Sequence, residues 1–320
     1  MSDNLKKSVW LIGAGQMAVD YYKVLSRLDV NITVIGRSKK SANFFLKETG
    51  MKPIIGGIEN HLIKEINLCD YAIVCAQIEL LSKMTIELLK FGIKNILVEK
   101  PVSLNTKELT DCVNLARKLN ADVYVGYNRR FYSSVAKAKE IIYKDGGLTS
   151  MSFEFTEWSK KIEKSNYSSS LKRKWFLANS SHLVDLAFYL AGKPKEIFSN
   201  VKGSLSWHPS GSIFHGHGIT INNVPFSYRA NWESAGSWSL ELMTRNRKLI
   251  LCPLEKLKIQ KKESVDIKYD ENVDNSLDER FKPGLYNQVS NFINSNTKNL
   301  LNINDLVELF ECYYKIANYN

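Results

Sequence analysis

The sequence predicts an α/β protein, with a doubly wound sheet in its first half and an α+β domain with a large, mostly antiparallel open sheet in its second. Residues 8–130 alternate between short apolar runs of strand length and longer helical patterns, which is typical of a doubly wound domain. After about residue 147, alternating strand patterns with turn signals replace that rhythm. We therefore predict two domains, 1–130 and 131–320, which agrees with roughly 150 residues per domain.

Five short runs rich in β-branched residues predict the strands of the first domain. They are residues 9–12, 31–35, 71–76, 95–98 and 122–127. Because the apolar residues in these runs are continuous, we expect strands that are covered on both faces, as in a parallel sheet. Helical patterns lie between them at residues 16–28, 79–91 and 106–119.

The second half predicts strands first and helices last. Residues 148–158 alternate like a strand, and residues 180–191 have a helical pattern that stops at Gly192. From 195 to 270 the chain reads as successive strands separated by turn signals, which favours a largely antiparallel sheet. Two helical patterns follow, at about 283–296 and 304–318.

The composition is that of an ordinary soluble protein, with 44% hydrophobic and 24% charged residues. No apolar run approaches the roughly 18 residues that a membrane-spanning helix needs, so we expect no membrane partner. The first seven residues lack the apolar stretch of a signal peptide. Five cysteines are scattered without a CxxC pair, which argues against a disulfide framework and a structural zinc site. We therefore expect a cytoplasmic protein.

The net charge is strongly positive, at +11 from 44 basic and 33 acidic residues. Nucleic-acid binding would account for this charge, but the basic residues are spread along the chain and no nucleic-acid-binding motif is present, so we expect none. A solvated basic surface would account for it equally, and so would an anionic cofactor or substrate.

Residues 13–18, GAGQMA, follow the first predicted strand and open a helical pattern. Gly13 permits the tight turn, Gly15 lets the backbone approach a pyrophosphate, and Ala18 lets the helix pack on the strand. Gln16 and Met17 begin the helix, whose free N–H groups and dipole favour phosphates. The motif predicts a Rossmann dinucleotide site; the alternative is a glycine-rich turn that binds nothing.

The end of the second strand predicts the choice of cofactor. An acidic residue there would hold the ribose 2′-hydroxyl of NAD, but residues 35–40 read IGRSKK. Arg37 can hold a 2′-phosphate by charge and Ser38 by a hydrogen bond. We therefore expect NADP(H) in preference to NAD(H). Alternatively, Arg37 stacks on the adenine face, which would serve either cofactor.

Two further motifs carry a resemblance to a known family. Residues 99–101, EKP, and residues 126–131, GYNRRF, each follow a predicted strand. Together with the N-terminal GxGxxA, they resemble the glucose–fructose oxidoreductase / inositol dehydrogenase family. The resemblance implies a Rossmann domain followed by an α+β domain, whose open sheet commonly joins the subunits of a homodimer or homotetramer. It also implies hydride transfer between a nicotinamide and a carbon of a sugar, cyclitol or sugar nucleotide.

The resemblance assigns roles to residues around these two motifs. The lysine of E-K-P touches the reacting hydroxyl and the nicotinamide ribose in such proteins, so we expect Lys100 to be catalytic and Glu99 to help bind the cofactor. A lysine at the carboxyl end of a sheet strand can also, on physical grounds, stabilise a developing alkoxide. Alternatively, Lys100 only binds the cofactor. We further expect Asn128 to contact the cofactor, and Tyr127 and Arg129 to contact the substrate.

His182 is the second candidate for proton transfer. The family often reads D-x-G-x-H-x-x-D where this chain has residues 178–185, so His182 and Asp185 match the motif. A histidine titrates near neutral pH and suits a general acid/base, although a capping or packing role is the alternative. Ala178 replaces the acid of the motif and Ser180 replaces its glycine. The missing acid argues against an inositol-type mechanism. It leaves Lys100 and His182 to manage the proton, or else a substrate that needs less help.

The segment before His182 carries a concentration of positive charge. Residues 159–174 hold six basic residues and one acidic residue, for a net charge of +5. Basic residues beside aromatic rings suit a sugar with a diphosphate or carboxylate. We therefore expect substrate contacts from Tyr167, Lys174, Trp175 and Asn179, together with Lys100 and His182; a solvated loop is the alternative.

The remaining histidines predict no metal site. His215 and His217 share one face of a strand, but no carboxylate or cysteine accompanies them, and His208 is equally isolated.

These observations favour an NADP-preferring oxidoreductase that acts on a hydroxyl or keto carbon of a sugar or sugar nucleotide, in surface-polysaccharide or unusual-sugar biosynthesis. Two alternatives stay open. One is a cofactor- or sugar-sensing regulator of the same fold, and the other is a reductase of a non-sugar substrate. Regulators of this kind tend to lose the lysine or the histidine, and this chain keeps both.

Overall fold

The computed structural model describes residues 6–65 and 67–319. Residues 1–5, on which most of the signal-peptide expectation falls, lie outside the described residues, as do residues 66 and 320. Contacts group the chain into two compact units. The first contains the residues up to Asn128 and Asp278–Val307, and the second contains Arg129–Leu277 and the residues from Glu308 onward. The bounds 1–130 and 131–320 stay a prediction beside this grouping.

The described chain contains fifteen strands, which form two sheets, and twelve α-helices. The strands are β1 (Lys7–Ile12), β2 (Val30–Gly36), β3 (Ile54–Ile55), β4 (Tyr71–Val74), β5 (Asn95–Val98), β6 (Asp122–Val125), β7 (Ser150–Phe155), β8 (Pro194–Lys202), β9 (Ile213–Thr220), β10 (Pro225–Asn231), β11 (Trp238–Met243), β12 (Arg247–Leu251), β13 (Lys258–Lys261), β14 (Ile267–Tyr269) and β15 (Leu301–Asn302). The α-helices are α1 (Gln16–Leu25), α2 (Lys39–Thr49), α3 (Gly57–Lys64), α4 (Leu81–Phe91), α5 (Thr106–Lys118), α6 (Ser133–Lys144), α7 (Ser159–Glu163), α8 (Ser169–Arg173), α9 (Ser181–Ala191), α10 (Ser276–Arg280), α11 (Leu285–Ile293) and α12 (Ile303–Ala317).

The first unit is built on one sheet, in the order β15-β6-β5-β4-β1-β2-β3. Its neighbouring strands run parallel except for the β15–β6 pair. All four residues of β4 are buried, as the continuous apolar run predicts for a strand covered on both faces. The predicted Rossmann sheet is therefore confirmed.

The second unit is built on a sheet in the order β14-β13-β12-β11-β7-β10-β9-β8. Among the described strand pairs of this second sheet, only the β7–β10 pair is parallel, and the others are antiparallel. Along β10, Phe226, Tyr228 and Ala230 are buried whereas Ser227 and Arg229 are exposed. This alternation is typical of an antiparallel sheet with one face on the core and one face in solvent. The predicted mostly antiparallel open sheet is confirmed.

Local differences from the predicted elements have physical causes. The helix predicted at 79–91 begins as a 3₁₀ turn, Ile78–Leu80, before α4 starts. Helices α2 and α3 were not predicted. The first is polar and is held by its ends, because Ser38 caps its start and Gly50 ends it at φ 74°.

The positively charged segment before His182 is folded. It forms α7 and α8, and the ammonium of Lys172 donates to the carbonyls of Glu163 and Ser165, both at 2.7 Å. A single π-helical turn, Phe176–Ser180, then leads into α9. π-helical turns occur frequently at functional sites, so this turn marks the start of α9 as a candidate.

No helix in the described part of the chain has both the length and the apolar character needed to cross a membrane.

Candidate cofactor pocket and candidate substrate pocket

The glycine turn after β1 is shaped by the backbone. Gly13 has φ 132°, and a Cβ placed on it would lie 2.6 Å from the carbonyl oxygen of Cys75, so the position requires glycine. A Cβ on Gly15 would meet nothing within 4 Å, so the protein itself does not require glycine there. Gly15 is also the N-cap of α1 and supplies no side-chain cap to the helix. An uncapped helix N-terminus beside open space fits a phosphate group.

This turn lines a pocket of about 400 Å³. The predicted cofactor residues that line it are Gly13, Gly15, Gln16, Met17, Arg37 and Ser38. Ser41 and Gln77, which the sequence analysis did not single out, line it as well. The guanidinium of Arg37 donates to Gln77 Oε1 at 3.4 Å, and Ser38 Oγ accepts from the N–H of Ser41 at 3.2 Å. Because Ser38 caps α2, its hydroxyl already has a structural partner.

Glu99 and Lys100 directly follow β5 and are half-buried, but neither lines that pocket. The carboxylate of Glu99 accepts a hydrogen bond from the hydroxyl of Tyr21 on α1, at 2.7 Å. Burial raises the pKa of Glu99, while the Tyr21 hydrogen bond and the charges of Lys100 and Lys282 act in the opposite direction. Glu99 therefore ties the end of β5 to α1.

The residues after Lys100 adopt an uncommon backbone. The Lys100–Pro101 peptide bond is cis, and Val102 has φ 71° while fully buried. A β-branched residue in the left-handed region is a genuine outlier, and such strain costs about 1–3 kcal/mol. Strained residues of this kind cluster at active sites, which makes the turn at Lys100 a functional candidate.

The segment after β6 packs tightly in the first unit. A Cβ on Gly126 would lie 3.2 Å from both Glu99 Oε1 and the Tyr21 hydroxyl. Tyr127 is 1% exposed, and the side-chain amide of Asn128 donates to the carbonyl of Pro283 at 2.8 Å. These contacts describe structural roles, so the substrate contact of Tyr127 and the cofactor contact of Asn128 stay predictions.

His182 lies on α9 in the second unit and is 7% exposed. Asp185, on the same helix, is fully buried and forms two bonds with Arg130, at 2.5 and 2.8 Å. Burial raises the pKa of Asp185, and the charge of Arg130 opposes that shift. The acid that the motif places after the histidine is therefore one half of a buried ion pair.

The second unit contains a pocket of about 550 Å³ with an aromatic wall. Its four aromatic side chains are Trp158, Tyr167, Trp175 and Trp238. Trp158 and Tyr167 are 65% and 54% exposed, and the rings of Tyr167 and Trp175 lie 5.3 Å apart. The guanidinium of Arg129 lies 4.7 Å from the ring of Trp238. Pockets lined by aromatic rings with a few polar groups are typical of small-molecule sites.

The polar groups of this pocket include a carboxylate, an amide and an ammonium. Glu157 accepts from the amide of Asn179 at 3.0 and 3.1 Å and from the hydroxyl of Ser180 at 2.7 Å. Glu157 and Asn179 both line the pocket, as does Lys161, whose ammonium lies 5.3 Å from the ring of Trp158. Within the described chain, the buried indole N–H of Trp175 has no acceptor.

Three of the predicted substrate residues line this pocket: Tyr167, Trp175 and Asn179. Lys174 does not line it. Its ammonium lies 4.0 Å from the ring of Tyr319, and burial lowers its pKa. The ammonium of Lys174 thus makes a cation–π contact outside this pocket, and its substrate contact stays a prediction.

Glu157, Trp158 and Trp238 also line this pocket and were not predicted from the sequence. Glu157 and Trp158 fall at the end of the strand predicted at 148–158, whereas β7 ends at Phe155 and leaves them two and three residues beyond it.

The histidines after His182 take structural or surface positions. His208 is fully buried, with ring nitrogens 2.7 Å from the Gly211 carbonyl and 2.8 Å from the Tyr319 hydroxyl. Burial lowers the pKa of His208 to about 4. His217 is exposed and stacks on Phe198 at 5.3 Å. Among the described residues, no group of three or more His, Cys, Asp or Glu is placed to hold a metal ion.

Comparison with protein families identifies the class of the first unit. Residues 7–127 match the model of the oxidoreductase family with an NAD-binding Rossmann fold, the family of glucose–fructose oxidoreductase and inositol dehydrogenase. The resemblance drawn from the motifs is thus confirmed for residues 7–127, the part of the chain that matches this family model. The cofactor class is accordingly a nicotinamide dinucleotide.

Solved structures of the same fold cover nearly the whole chain. An oxidoreductase from Agrobacterium radiobacter, in complex with NAD+, L-tartaric acid and magnesium, superimposes with a TM-score of 0.80 at 10% identity, covering 98% of this chain and 96% of its own. UDP-N-acetylglucosamine 3-dehydrogenase from Acidithiobacillus ferrooxidans gives 0.75 at 11% identity, with 98% of each chain covered. The WlbA dehydrogenase from Bordetella pertussis, in complex with NADH and UDP-GlcNAcA, gives 0.74 at 13% identity, covering 98% and 96%. Likeness at these identities shows the fold alone.

No curated protein matches this chain.

Proposed function

We propose that this protein is an NADP-preferring oxidoreductase that moves a hydride between the nicotinamide and a hydroxyl or keto carbon of a sugar or sugar nucleotide. The observation that carries the proposal is the arrangement at the carboxyl edge of one parallel sheet. The glycine turn follows β1, Arg37 and Ser38 follow β2, and Lys100 follows β5. Ligands of doubly wound sheets bind at this edge.

The cofactor is held in this proposal by the pocket at the glycine turn. The N-terminus of α1 takes the pyrophosphate, and Gly15 leaves room for it. Arg37 and the start of α2 take a 2′-phosphate, since no acidic residue stands there to hold a 2′-hydroxyl. When bound, the nicotinamide supplies or accepts the hydride.

Lys100 and His182 handle the proton in this proposal. During oxidation, the ammonium of Lys100 stabilises the negative charge that develops on the substrate oxygen. His182, as a general base, removes the hydroxyl proton, and it returns a proton in the reverse direction.

The aromatic pocket of the second unit supports a sugar as the substrate. Exposed rings such as Trp158 and Tyr167 offer flat apolar faces to a pyranose ring or a nucleotide base, and Lys161 offers a positive charge to a phosphate or carboxylate. One similar structure is a UDP-N-acetylglucosamine 3-dehydrogenase and another is a dehydrogenase in complex with UDP-GlcNAcA. We therefore choose UDP-sugars as the first compounds to test. Surface-polysaccharide or unusual-sugar biosynthesis is the corresponding setting, in the cytoplasm and as a homodimer or homotetramer.

A fluorescence titration with NADPH and NADH tests the cofactor preference. We expect tighter binding of NADPH, and we expect Arg37→Ala to weaken it about 10- to 100-fold while NADH binding changes little. Arg27→Ala, outside the pocket, is the matched control. Equal affinities in the wild-type protein would refute the NADP preference.

The substrate is tested by following NADPH oxidation with keto-sugar nucleotides, and NADP+ or NAD+ reduction with UDP-N-acetylglucosamine and UDP-GlcNAcA. Turnover of one compound would identify the sugar class. One result would contradict the proposal and favour a regulator: the protein binds the cofactor tightly, turns over no sugar, and binds no sugar in the aromatic pocket.

A further inference from the structure

Glu157 is a buried carboxylate that the family motif does not account for. It lies two residues beyond β7, is 7% exposed, and lines the aromatic pocket of the second unit. Its carboxylate accepts from both the Asn179 amide and the Ser180 hydroxyl. Burying a carboxylate costs free energy unless hydrogen bonds compensate. The bonds from Asn179 and Ser180 provide that compensation and hold the negative charge of Glu157 at the wall of the pocket.

The two donors belong to the π-helical turn that leads directly into α9. Asn179 and Ser180 are the last two residues of that turn, and His182 is the second residue of α9, so the chain connects the donors to His182 over two to three residues. The hydroxyl of Ser181 closes the same turn by donating to the Leu177 carbonyl at 2.8 Å. The position of the turn, and hence of His182, therefore depends on its anchorage to Glu157.

Two other charged groups lie near this part of the second unit, Asp185 on α9 and Lys161 on α7, and each has its own contact. Asp185, three residues after His182, is paired with Arg130 at 2.5 Å. Lys161 lines the pocket and faces the ring of Trp158. At position 178, one helical turn before His182, the chain has an uncharged alanine.

We propose that Glu157 supplies, from the end of β7, the carboxylate of this site, and that it acts as a positioning residue by fixing the Asn179–Ser180 turn and thereby His182. Its carboxylate substitutes for a negative charge that Ala178 cannot provide. The consequence for turnover rests on the function proposed above, whereas the link between Glu157 and His182 does not.

The link is tested without any substrate by NMR of protein labelled with ¹³C at histidine Cε1. His182 is assigned by its loss in H182A. Replacing Glu157 by Gln removes the negative charge that is bonded to the turn preceding His182. Because such a charge favours the imidazolium form, we expect the pKa of His182 to fall by about one unit. The control is Glu154→Gln, because Glu154 lies three residues earlier, on β7 itself, and pairs with Arg229 at 2.9 Å. An unchanged His182 titration in folded E157Q would overturn the proposal.

The consequence for turnover is tested with the sugar that the substrate assays identify. We expect E157Q to lower kcat about 10- to 100-fold with KM nearly unchanged, and to move the acidic limb of the pH profile to lower pH. The double variant E157Q/A178D restores a carboxylate one turn before His182, and we expect it to regain at least tenfold of the lost rate. Full activity in E157Q would overturn the proposal.

A third variant covers the case in which E157Q does not fold. Ser180→Ala keeps the carboxylate and removes one of its donors, and we expect it to lower kcat about tenfold and to shift the His182 titration. Wild-type values for both would overturn the proposal. If the wild-type protein turns over no sugar, the proposed function fails, but the NMR titrations still decide whether Glu157 acts on His182.

Discussion

The pocket of the first unit contains a glycine turn with a fixed backbone, whereas the pocket of the second unit has a wall of aromatic side chains. In the first, the shape comes from the turn at Gly13 and Gly15 and from the start of α1. In the second, it comes from four aromatic rings and from polar groups such as Glu157. Backbone N–H groups at a fixed turn suit a group common to all dinucleotides, while side chains can be exchanged to suit one substrate. The two pockets should therefore respond differently to substitution.

The largest expected effect concerns a residue that lines neither pocket. Lys100→Met should lower kcat about 10²- to 10⁴-fold, because it removes the charge that stabilises the substrate oxyanion, while NADPH affinity stays within a few-fold. Steady-state kinetics and fluorescence titration measure the two quantities. Lys107→Met, exposed on α5, is the control. Full turnover in K100M would show that Lys100 does not stabilise the substrate oxyanion.

The glycine pair tests the backbone character of the first pocket. Gly13→Ala should reduce the free energy of unfolding by about 3 kcal/mol, since its Cβ would meet the Cys75 carbonyl at φ 132°. Gly15→Ala should leave stability nearly unchanged, because its Cβ points into open space, but should weaken NADPH binding at least about tenfold. Chemical denaturation and cofactor titration separate the two effects. Equal behaviour of the two variants would contradict this account.

Stability of the second unit should depend on pH through His208. Its folded pKa of about 4 lies below its ordinary value of 6.5, so the neutral ring stabilises the fold fully above about pH 6.5. That contribution should be lost as the pH falls toward 4, and it amounts to about 3 kcal/mol. Urea unfolding of the wild type and of H208Q between pH 7.5 and 4.5 measures it. The stability difference should shrink as the pH falls, whereas H217Q, at an exposed histidine, should track the wild type.

The smallest effect expected is on the side-chain wall of the second pocket. Trp158→Ala should raise the KM for the sugar about tenfold by removing a stacking face, and it should leave NADPH affinity and stability unchanged because the ring is 65% exposed. Tyr143→Ala removes an exposed ring outside the pocket and is the control. A loss of NADPH affinity in W158A would contradict the view that the two pockets bind different ligands.

The same distinction explains which features could be predicted from the sequence. The turn at 13–18 was predictable because backbone geometry demands particular residues at fixed spacing. The second pocket was predicted only in part, through Tyr167, Trp175 and Asn179. Trp238 comes to the pocket because β11 pairs with β7, where it stands opposite Phe155. No local spacing encodes that pairing, since 83 residues separate the two partners.

Elements held by their ends were also difficult to predict. Helix α2 is polar overall and buries only Ala42 and Phe45, and its ends are set by the Ser38 cap and by Gly50. Glu157 could not be recognised as the partner of Asn179 and Ser180, because their hydrogen bonds cross from a strand end to a π-helical turn.

The π-helical turn at Phe176–Ser180 has a consequence for how this chain should be aligned and engineered. Such a turn holds one residue more than an α-helical turn, and each residue of an α-helix advances the side-chain direction by about 100°. Deleting one residue from 176–180 would shorten the sequence by an apparently harmless position and yet rotate Asn179 away from Glu157. An alignment without a gap in this stretch would compare residues on different faces of the helix. The extra residue therefore sets the rotation about the helix axis between the residues that bind Glu157 and His182 on α9.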